Sequence, residues 1–530
     1  MRACHLLALA LAVSGCHWAL NDPGTDPKSS QFYFPSGIAM DPGGQYAYIA
    51  NANADLRYGG GTVMVADMRA FECTVAEFAL ANGLSSTPLP AICGDPAAYD
   101  KLAGKAMCRT DPLDPSIIDC DETQFIKQNS TVKIGNFAGS IRLLPDPANP
   151  NHSRLFVAVR GDPSITWIDV RYPDGTSGAP PTVDVPGLLQ CVTDPSSLNK
   201  RKGYDPNSNT TSSPTVCDPD HLVQNYFCQG LPTCVLNNID QTNKTQLPTE
   251  PFGMALDAAH QRLLVSHLAT GQVSLIYGAV GNQPGSLLTD TPTLQSTSQP
   301  FFPADPSGRH GAFSLAPQHP DDPQTLWYMS SSVNSQLATF RVAQAGLIVP
   351  ALAFSIGASF ANGTDVRDIA FDNDGNRAFV TENNPPSMLV IDTHTTPQNG
   401  GGPLNVVTDI VDVCQTPSHL KPFHLDRLGA PGTPVQRKTK VVVVCFLSSQ
   451  IMVVDPDRVA VDDTVISGLG GPDDIAFNFT DDETTLTLPR HGYVTNFTES
   501  TVSVVDLDPQ SPTRNRVIAR LGFPPDGLNP

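Results

Sequence analysis

The stretch GYVTNFTESTVSVVDL, residues Gly492 to Leu507, decides the fold. It contains an apolar, β-branched run, a short polar turn and a second β-branched run that ends beside Asp506. Such runs, bounded by turn residues, predict two paired β-strands. Similar units occur earlier in the chain, as AYIANAN…VMVADM from Ala47 and as AFVTENN…LVIDT from Ala378. The sequence is therefore repetitive, and the repeat must be counted before any fold is assigned.

The repeat occurs seven times, each time as a strand that starts with small residues, a turn, an apolar strand, a polar turn and a strand that ends near Asp. The copies begin at Pro35, Ala138, Pro251, His310, Val366, Pro422 and Pro472. A further β-rich stretch follows most copies, as in LNVVTDIVDV and RVIARLGF. Four strands in each of seven copies predict an all-β, seven-bladed β-propeller. The last copy keeps its own four strands, so no strand exchange between the termini is expected.

The run YVTN at Tyr493–Asn496, followed by STVSVVDL, resembles the YVTN-type β-propeller repeat family. The resemblance extends from about Ser30 to Phe523, outside two long insertions. It implies the propeller fold but no single activity. The family is similar to surface-layer, quinoprotein-related and lactonase-like propellers, which share architecture rather than chemistry.

The composition excludes several classes of protein. The chain has 530 residues, with 32 Lys and Arg against 52 Asp and Glu, so its formal charge is 32 − 52 = −20. An acidic protein of this kind is repelled by nucleic acid and by anionic membrane surfaces. The 40% hydrophobic content is enough for a large core, and 41 Gly with 49 Pro favours many short strands over long helices.

The N-terminus has the pattern of an export signal. Residues 1–15 contain a basic residue, an apolar run too short to span a bilayer, and small residues. The run VSGC, ending at Cys16, resembles a bacterial lipobox and implies cleavage and lipidation at that cysteine, the alternative being an ordinary secretory signal. His17 stands where an inner-membrane retention signal would have Asp, which favours an outer-membrane lipoprotein, periplasmic or surface-facing. Residues 16–31 are then a lipidated tether, and 32–530 form the propeller.

Ten cysteines remain after the signal peptide and Cys16, and they are clustered. An exported chain with even local sets of cysteines predicts a disulfide framework, and the spacings do not match a zinc module. Five bridges within the clusters are expected, with the connectivity inside each set of four left open. The cysteines are Cys73, Cys93, Cys108, Cys120, Cys191, Cys217, Cys228, Cys234, Cys414 and Cys445. Two insertions, about 81–135 and 187–247, carry three and four of these cysteines and are expected to be disulfide-tied loops that either carry recognition or merely cover the ring.

Aligning the copies at the first strand predicts a ring of residues at one mouth of the central channel. Small residues fill it in four blades, as Gly37, Ser140, Gly253 and Ala312. The last three blades contribute Asp368, His424 and Asp474, with Arg367 and Asp473 as neighbours. Two carboxylates and an imidazole could bind a ligand, hold a divalent cation or act as acid and base. The alternative is a polar, water-filled channel.

Other patterns are weaker. DNDGN at Asp372–Asn376 starts like a calcium loop but lacks the downstream Glu, and it lies where the repeat needs a tight turn. HLKPFH at His419–His424 has two possible metal ligands but no third. No nucleophile elbow, zinc-protease motif or phosphate-binding loop occurs in the sequence.

The sequence therefore favours a binding or scaffold module of the cell envelope over an enzyme. The expected partner is a protein or glycan of the envelope, with no nucleic acid and with membrane contact only through the lipid. No cofactor is assigned beyond a possible divalent cation, and a monomer is expected. The alternatives are a channel enzyme, either a lactonase-like hydrolase or a redox enzyme, and a structural protein of the surface-layer kind.

Overall fold

The architecture was examined in a computed structural model of the full chain. It describes residues 25–86, 88–94, 108–127, 130–146, 152–171, 188–191, 204–205, 210–211, 214–217, 222–224, 247–257, 260–277, 293–297, 299–343, 347–356, 365–395, 402–427, 436–479 and 490–524. The predicted signal peptide, Cys16, Cys228 and Cys234 lie outside these ranges.

Seven antiparallel sheets form the blades of a β-propeller, as the repeat predicted. Counting outward from the axis, the first strands are Pro35–Met40, Ala138–Pro145, Pro251–Asp257, Ala312–Pro317, Val366–Phe371, Pro417–Arg427 and Pro472–Phe477. The second strands are Tyr46–Asn51, His152–Val159, Arg262–His267, Leu326–Ser331, Arg377–Asn383, Gln436–Cys445 and His491–Asn496. The third strands are Gly61–Asp67, Ser164–Arg171, Val273–Tyr277, Gln336–Val342, Pro386–Asp392, Gln450–Asp455 and Thr501–Asp506. The fourth strands are Val132–Ile134, Leu188–Gln190, Thr293–Ser296, Ile348–Ser355, Val406–Asp412, Ala460–Val465 and Arg516–Leu521.

The hydrophobic core is divided into seven clusters, one at each joint between neighbouring blades. The joint between blades 6 and 7, for example, buries Val444 of one second strand against Val494 of the next. A blade has two apolar faces and buries neither alone, because each face needs a neighbouring sheet. The second and third strands are accordingly apolar on both faces.

Every first strand carries a register irregularity near its start, where one or two residues bulge from the ladder toward the channel. The bulge frees backbone groups that a side chain of a neighbouring strand can reach. In blade 4, Ser330 Oγ donates to the carbonyl of Arg367 in blade 5, at 2.6 Å. Ser266 Oγ does the same from blade 3 to the carbonyl of Phe313, at 2.6 Å. These bonds join consecutive blades at the channel.

The sharp turn after the first strand explains the DNDGN motif. Asp372 Oδ1 accepts from the backbone N–H of Asn376 at 3.0 Å, and Gly375 has φ of +63°. Asp41 and Gly44 form the same turn in blade 1. The motif is a turn, as predicted, because Asp caps the backbone N–H groups and Gly permits the positive φ.

The first insertion does not hang from the ring as a loop. It begins with helix α1, Met68–Ala81, directly after the third strand of blade 1, and ends where Val132–Ile134 starts. The predicted limits at 81 and 135 thus miss the helix and include the fourth strand. Short elements in the insertions are the 3₁₀ turns Ala91–Gly94 and Glu122–Gln124 and the strands Cys108–Thr110, Ile118–Cys120, Tyr204–Asp205, Thr210–Thr211, Thr215–Val216 and Leu222–Gln224.

The first insertion crosses to the other end of the repeat and extends blade 7. Ile118–Cys120 pairs in parallel with the fourth strand of that blade, and Cys108–Thr110 pairs on its outer side. The four inner strands of blade 7 are all its own, as predicted. We call this cross-connection, residues 108–120 on the outer strand of blade 7, the clasp. It ties blade 1 to blade 7 through an insertion rather than through exchanged termini.

A buried charge cluster holds the clasp in place. Arg520 of blade 7 is 2% exposed and donates to both carboxylate oxygens of Asp119, at 2.8 and 3.1 Å. It also contacts Asp111, and Glu499 lies 3.6 Å from its Nη1. Because these charges are removed from water, they depend on each other for solvation.

Helix α1 is anchored to the same blade. Glu72 Oε1 accepts a hydrogen bond from His491 Nδ1 at 2.8 Å and another from the hydroxyl of Tyr493. All three side chains are buried. Burial alone would lower the pKa of His491, but the charge and hydrogen bond of the neighbouring Glu72 raise it.

The described part of the chain contains four disulfides, each within a predicted cluster. They are Cys73–Cys93, Cys108–Cys120, Cys191–Cys217 and Cys414–Cys445. The first ties α1 to the rest of its insertion, and the second closes the clasp hairpin. In blade 6, Cys445 ends the second strand and is bonded to Cys414 in the chain segment that leads into that blade.

The predicted tether is partly built into blade 1. Asp26 forms an ion pair with Lys133 at 3.2 Å, and Thr131 Oγ1 donates to the carbonyl of Ser29 at 2.5 Å. A polar composition suggested a free segment, whereas these contacts hold it from Thr25 onward. Within the described ranges, no helix is long and apolar enough to cross a membrane.

We expect Arg520→Ala to lower stability sharply because it leaves the buried carboxylates of Asp111 and Asp119 without their cation. Removing one partner of a buried pair costs about 3–5 kcal/mol. Differential scanning calorimetry should show a large fall in Tm. Arg516→Ala is the matched control, since Arg516 is exposed on the same strand. A fall no larger than that of the control would contradict the role assigned to the clasp.

Candidate functional site

The pairing register defines which residue of each first strand occupies the ring at the channel. It is the residue that directly precedes the first apolar residue of the ladder after the bulge, namely Ile38, Ile141, Met254, Leu315, Ile369, Leu420 or Ile475. The ring consists of Gly37, Ser140, Gly253, Ser314, Asp368, His419 and Asp474. Five of these positions match the alignment made from sequence.

His424 is not at the ring. The first strand of blade 6 starts at Pro417, and its ladder resumes with His419 opposite Val444. His424 lies five residues further on, about 16 Å along an extended strand, and pairs with Thr439. It is buried there, 3.1 Å from the Thr439 hydroxyl. The error arose because the copy was aligned at PFHL, whereas the strand begins at PSHL.

Ala312 is likewise displaced by two residues. It pairs with Ser331 before the bulge of blade 4, and Ser314 takes the ring position. Sequence similarity among the strand starts could have corrected both positions, since PSHL of blade 6 matches PSGI of blade 1 and PDDI of blade 7.

Asp368 joins three blades. Its Oδ1 accepts from Ser314 Oγ in blade 4 at 2.5 Å and from the backbone N–H of Ile369 at 2.9 Å. Its Oδ2 accepts from the backbone N–H of Leu420 in blade 6 at 2.9 Å. His419 Nδ1 lies 3.4 Å from the same oxygen. The carboxylate is therefore surrounded by donors of the protein itself.

Asp474 has the same role at the closure of the ring. Its Oδ1 accepts from the backbone N–H of Ile475 at 2.8 Å, and its Oδ2 accepts from that of Ile38 in blade 1 at 3.2 Å. Its own N–H donates to Thr495 Oγ1 at 3.0 Å. Asp474 thus binds blade 7 to blade 1 at the axis, as the clasp does at the rim.

The two predicted neighbours of the ring lie in different surroundings. Arg367 pairs with Asp365 and lies over the ring of Phe313 at 5.0 Å, so its charge is already engaged. Burial raises the pKa of Asp473 to about 6; the negative charge of Asp474 adds to this rise, and His419 opposes it. Asp473 is consequently a carboxyl group that titrates just below neutral pH.

The imidazole of His419 is a cation at neutral pH. Burial works against its charge, but the hydrogen bond and charge of Asp368, with further charge from Asp474 and Asp473, raise the pKa of His419 to about 9. Burial likewise opposes ionisation of Asp368, but the His419 partner and the other donors hold its pKa below the usual value. A protonated imidazole donates hydrogen bonds and cannot act as a general base.

A cavity of about 370 Å³ occupies the channel beside the ring. Asp368, His419 and Asp474 line it, together with Arg142 of blade 2 and Lys421 of blade 6. The other lining residues come from the first strands and are mostly apolar in type, although the surface of the cavity itself is largely polar. Neither cation was among the site residues predicted from sequence.

The structure does not bring the predicted trio of Asp368, His424 and Asp474 together. Across the residues that it describes, no three His, Cys, Asp or Glu side chains converge closely enough to hold a metal ion. The ring carboxylates instead face backbone N–H groups and His419. Among the described residues, the channel therefore offers a divalent cation no set of three such side chains.

A second cavity of about 520 Å³ lies outside the channel, at the outer strands of blades 3 and 4. Its lining consists of apolar and neutral polar residues, among them Phe301, Thr339 and Leu352. Because it has no titratable group, it offers no acid or base, and the channel is the better candidate site.

Comparisons with known proteins give distant similarities only. No family model matches the chain, and no curated protein sequence does. Among solved structures, the periplasmic gluconolactonase PpgL of Pseudomonas aeruginosa is 14% identical, with a TM-score of 0.41, over 81% of this chain and 84% of that one. Hydrazine synthase of Kuenenia stuttgartiensis is 12% identical, with a TM-score of 0.43, over 91% and 98%. A protein of Lactobacillus plantarum is 13% identical, with a TM-score of 0.39, over 81% and 83%.

The His419–Asp368 pair gives the protein a pH-dependent stability. Folding raises the pKa of His419 from about 6.5 to about 9. Its stabilising contribution to the free energy of unfolding is therefore complete below pH 6.5 and is lost as the pH rises toward 9. Asp368, whose pKa is lowered on folding, stabilises the folded state above the pKa that it has in the unfolded chain, and this stabilisation is lost in acid. We therefore expect His419→Gln to lower Tm most at pH 6 and progressively less up to pH 9.5.

The measurement is Tm against pH for the wild type and the variant. His394→Gln serves as the control, since His394 is exposed and distant from the ring in sequence. A difference between wild type and His419→Gln that stays constant across this pH range would refute an ion pair at the ring.

Proposed function

We propose that this protein is a lipid-anchored propeller of the bacterial cell envelope that binds an envelope protein or glycan. The propeller would act as a rigid frame, and the first insertion would be the recognition surface. Loops held on a rigid scaffold are common sites of recognition. The chain is proposed to carry a divergent form of the YVTN-type repeat.

The observation that carries this proposal is that the first insertion is fixed to the ring and yet exposes apolar side chains. The clasp and helix α1 bind it to blade 7, and its leucines Leu84, Leu89 and Leu113 are 47%, 36% and 70% exposed. Contiguous apolar patches on an ordered surface are typical of protein contacts, and these three leucines are proposed to belong to one such patch. A surface that is already ordered loses little conformational entropy on binding.

The geometry of the ring argues against acid–base catalysis by the predicted carboxylates. All four carboxylate oxygens of Asp368 and Asp474 accept hydrogen bonds from the protein, and three of these four bonds connect neighbouring blades. Both carboxylates therefore have a structural role in the ring, which favours a binding module over acid–base catalysis. The lactonase-like or redox alternative and the surface-layer alternative are therefore outcomes of the experiments below rather than second proposals.

The proposed anchor rests on the sequence alone. Cleavage before Cys16 would leave that residue as the lipidated N-terminus, and a short segment would connect it to Thr25, where contacts with blade 1 begin. Buried acyl chains contribute about 0.8 kcal/mol per methylene, so more than one chain makes attachment durable. The proposed location is the outer membrane, facing the periplasm or the surface.

Cys16→Ser should release the protein from the membrane because serine has no thiol to carry the lipid. We expect incorporation of labelled palmitate to be lost and the protein to move from the membrane pellet to the soluble envelope fraction. Cys4→Ser is the matched control, since Cys4 lies in the predicted signal peptide and would leave lipidation intact. Retention of label and pellet location by Cys16→Ser would exclude this anchor.

The recognition surface can be tested by placing charge on it. Chemical cross-linking in intact envelopes is expected to give an adduct between the wild-type protein and its partner. We expect the triple variant Leu84→Lys, Leu89→Lys, Leu113→Lys to reduce the yield of this adduct about tenfold or more. The reason is that lysine side chains in an apolar contact would have to be desolvated. The matched control places lysines at Leu347, Leu447 and Ile466, which are 57%, 69% and 66% exposed elsewhere.

Each result has a defined meaning. An adduct lost only in the insertion variant supports the proposal, whereas equal adducts in both variants, or no adduct in the wild type, contradict it. An adduct of two copies of this chain would favour the surface-layer alternative. Hydrolysis of lactones by the purified wild type, abolished by Asp368→Asn, would establish the enzyme alternative instead.

A further inference from the structure

The residues that follow the ring in each first strand form a second layer around the channel. In five blades the residue two positions after the ring residue is alanine. The alanines are Ala39, Ala255, Ala316, Ala370 and Ala476. The two exceptions are both cations, Arg142 in blade 2 and Lys421 in blade 6.

This arrangement makes room for the two cations. A methyl side chain at five positions leaves the channel open, and Arg142 and Lys421 both line the resulting cavity of about 370 Å³. The cavity is large enough for a small metabolite but not for a peptide or an oligosaccharide. It is thus distinct from the surface proposed to bind an envelope partner.

Both cations bond to the backbone rather than to carboxylates. Within the described ranges, Arg142 donates from Nε to the carbonyl of Met254 at 3.0 Å and from Nη1 to that of Ile141 at 2.8 Å. Lys421 Nζ donates to the carbonyl of Ile475 at 3.3 Å and lies 5.0 Å from the centre of the Phe477 ring.

The two positive charges also interact with each other. Burial lowers the pKa of Lys421, and the charge of Arg142 lowers it further, while Asp474 and Asp368 act in the opposite direction. Those two carboxylates direct their oxygens at backbone N–H groups of the ring. Two like charges that share a confined cavity repel one another, and an anion between them would turn this repulsion into attraction.

From this geometry we propose that the channel of the propeller binds a small anionic molecule, bearing a carboxylate or phosphate, between Arg142 and Lys421. The guanidinium and ammonium groups would bind the anionic group through charge-assisted hydrogen bonds. The apolar side chains of the first strands would enclose the rest of the molecule. His419 also lines this cavity, but its charge is paired with that of Asp368.

The test uses a variant that removes the charges but keeps the bonds between blades. Arg142→Gln/Lys421→Gln retains an N–H donor at each position for the carbonyls of Met254 and Ile475. Isothermal titration calorimetry with inorganic phosphate, glucose 6-phosphate and citrate, and with glucose as the uncharged probe, measures binding. We expect at least one anion to bind the wild-type protein, glucose not to bind, and the double variant to bind about tenfold or more weakly.

The control is Lys28→Ala/Arg57→Ala, which removes the same formal charge from exposed positions. It should bind the anions as the wild type does. Should the double variant fail to fold, Lys421→Ala, which introduces the residue found in five other blades, is expected to weaken binding about fivefold.

Several results would overturn the proposal. These are the absence of binding by all three anions, equal affinity in the wild type and the charge-removed variant, or an equal loss in the exposed control. Comparison of phosphate and glucose 6-phosphate with citrate distinguishes a phosphate ligand from a carboxylate ligand. Because this site is separate from the insertion, its failure leaves the proposed envelope contact unaffected.

Discussion

The structure depends on the closure of its ring. Each blade buries its apolar faces only against two neighbours, so the last blade must be joined to the first for the seventh cluster to form and for both terminal blades to bury their outer faces. Blade 7 is joined to blade 1 both near the axis and at the outer rim. At the axis, Asp474 accepts from the N–H of Ile38, and at the rim the clasp adds strands and the buried Arg520–Asp119 pair. The apolar cluster between these two points includes Ile49, Tyr493 and residues of α1.

The same requirement explains the polar residues of the first strands. All seven joints are bridged near the channel by a side chain bonded to the backbone of the next blade. The bridging residues, from the joint of blades 1 and 2 onward, are Ser36, Arg142, Ser266, Ser330, Asp368, Ser418 and Asp474. Asp368 and Asp474, which were candidate catalytic residues in the sequence, therefore have the same bridging role as four serines and an arginine.

The repeat predicted the blades because each strand is encoded locally, by β-branched runs such as those around Tyr493 and by turns such as Asp372–Gly375. The clasp could not be predicted in this way. It pairs Ile118 with Ala519, and no local pattern records a partner four hundred residues away. Helix α1 had a local signal in the run MRAFECTVAEFALA, but that run lay between the end of one copy and the cysteine-rich stretch, and its helical character was not recognised.

The ring residues were predicted where the copies align without ambiguity, as at Asp368 and Asp474, and missed in blade 6. That blade has a first strand of eleven residues, Pro417–Arg427, with two Pro and two His, so its copy could be aligned at either of two places. Only the ladder opposite Val444 decides between them. The outcome changes the chemistry, because His419 at the ring is paired with Asp368, whereas His424 lies far along the strand.

The correct register also distinguishes the charges that are paired at the ring from the two cations of the next layer in the channel. At the ring, His419 and Asp368 neutralise each other, and the remaining carboxylate oxygens accept backbone N–H groups. One layer further, Arg142 and Lys421 donate hydrogen bonds to neutral carbonyls within the described chain, and Asp474 and Asp368 act on Lys421 through their charge alone. A serine could bridge a joint with a similar hydrogen bond, as Ser266 and Ser330 do. The bridging role alone therefore does not require a cation at either position, and the coincidence of two cations in an alanine layer calls for an anionic partner.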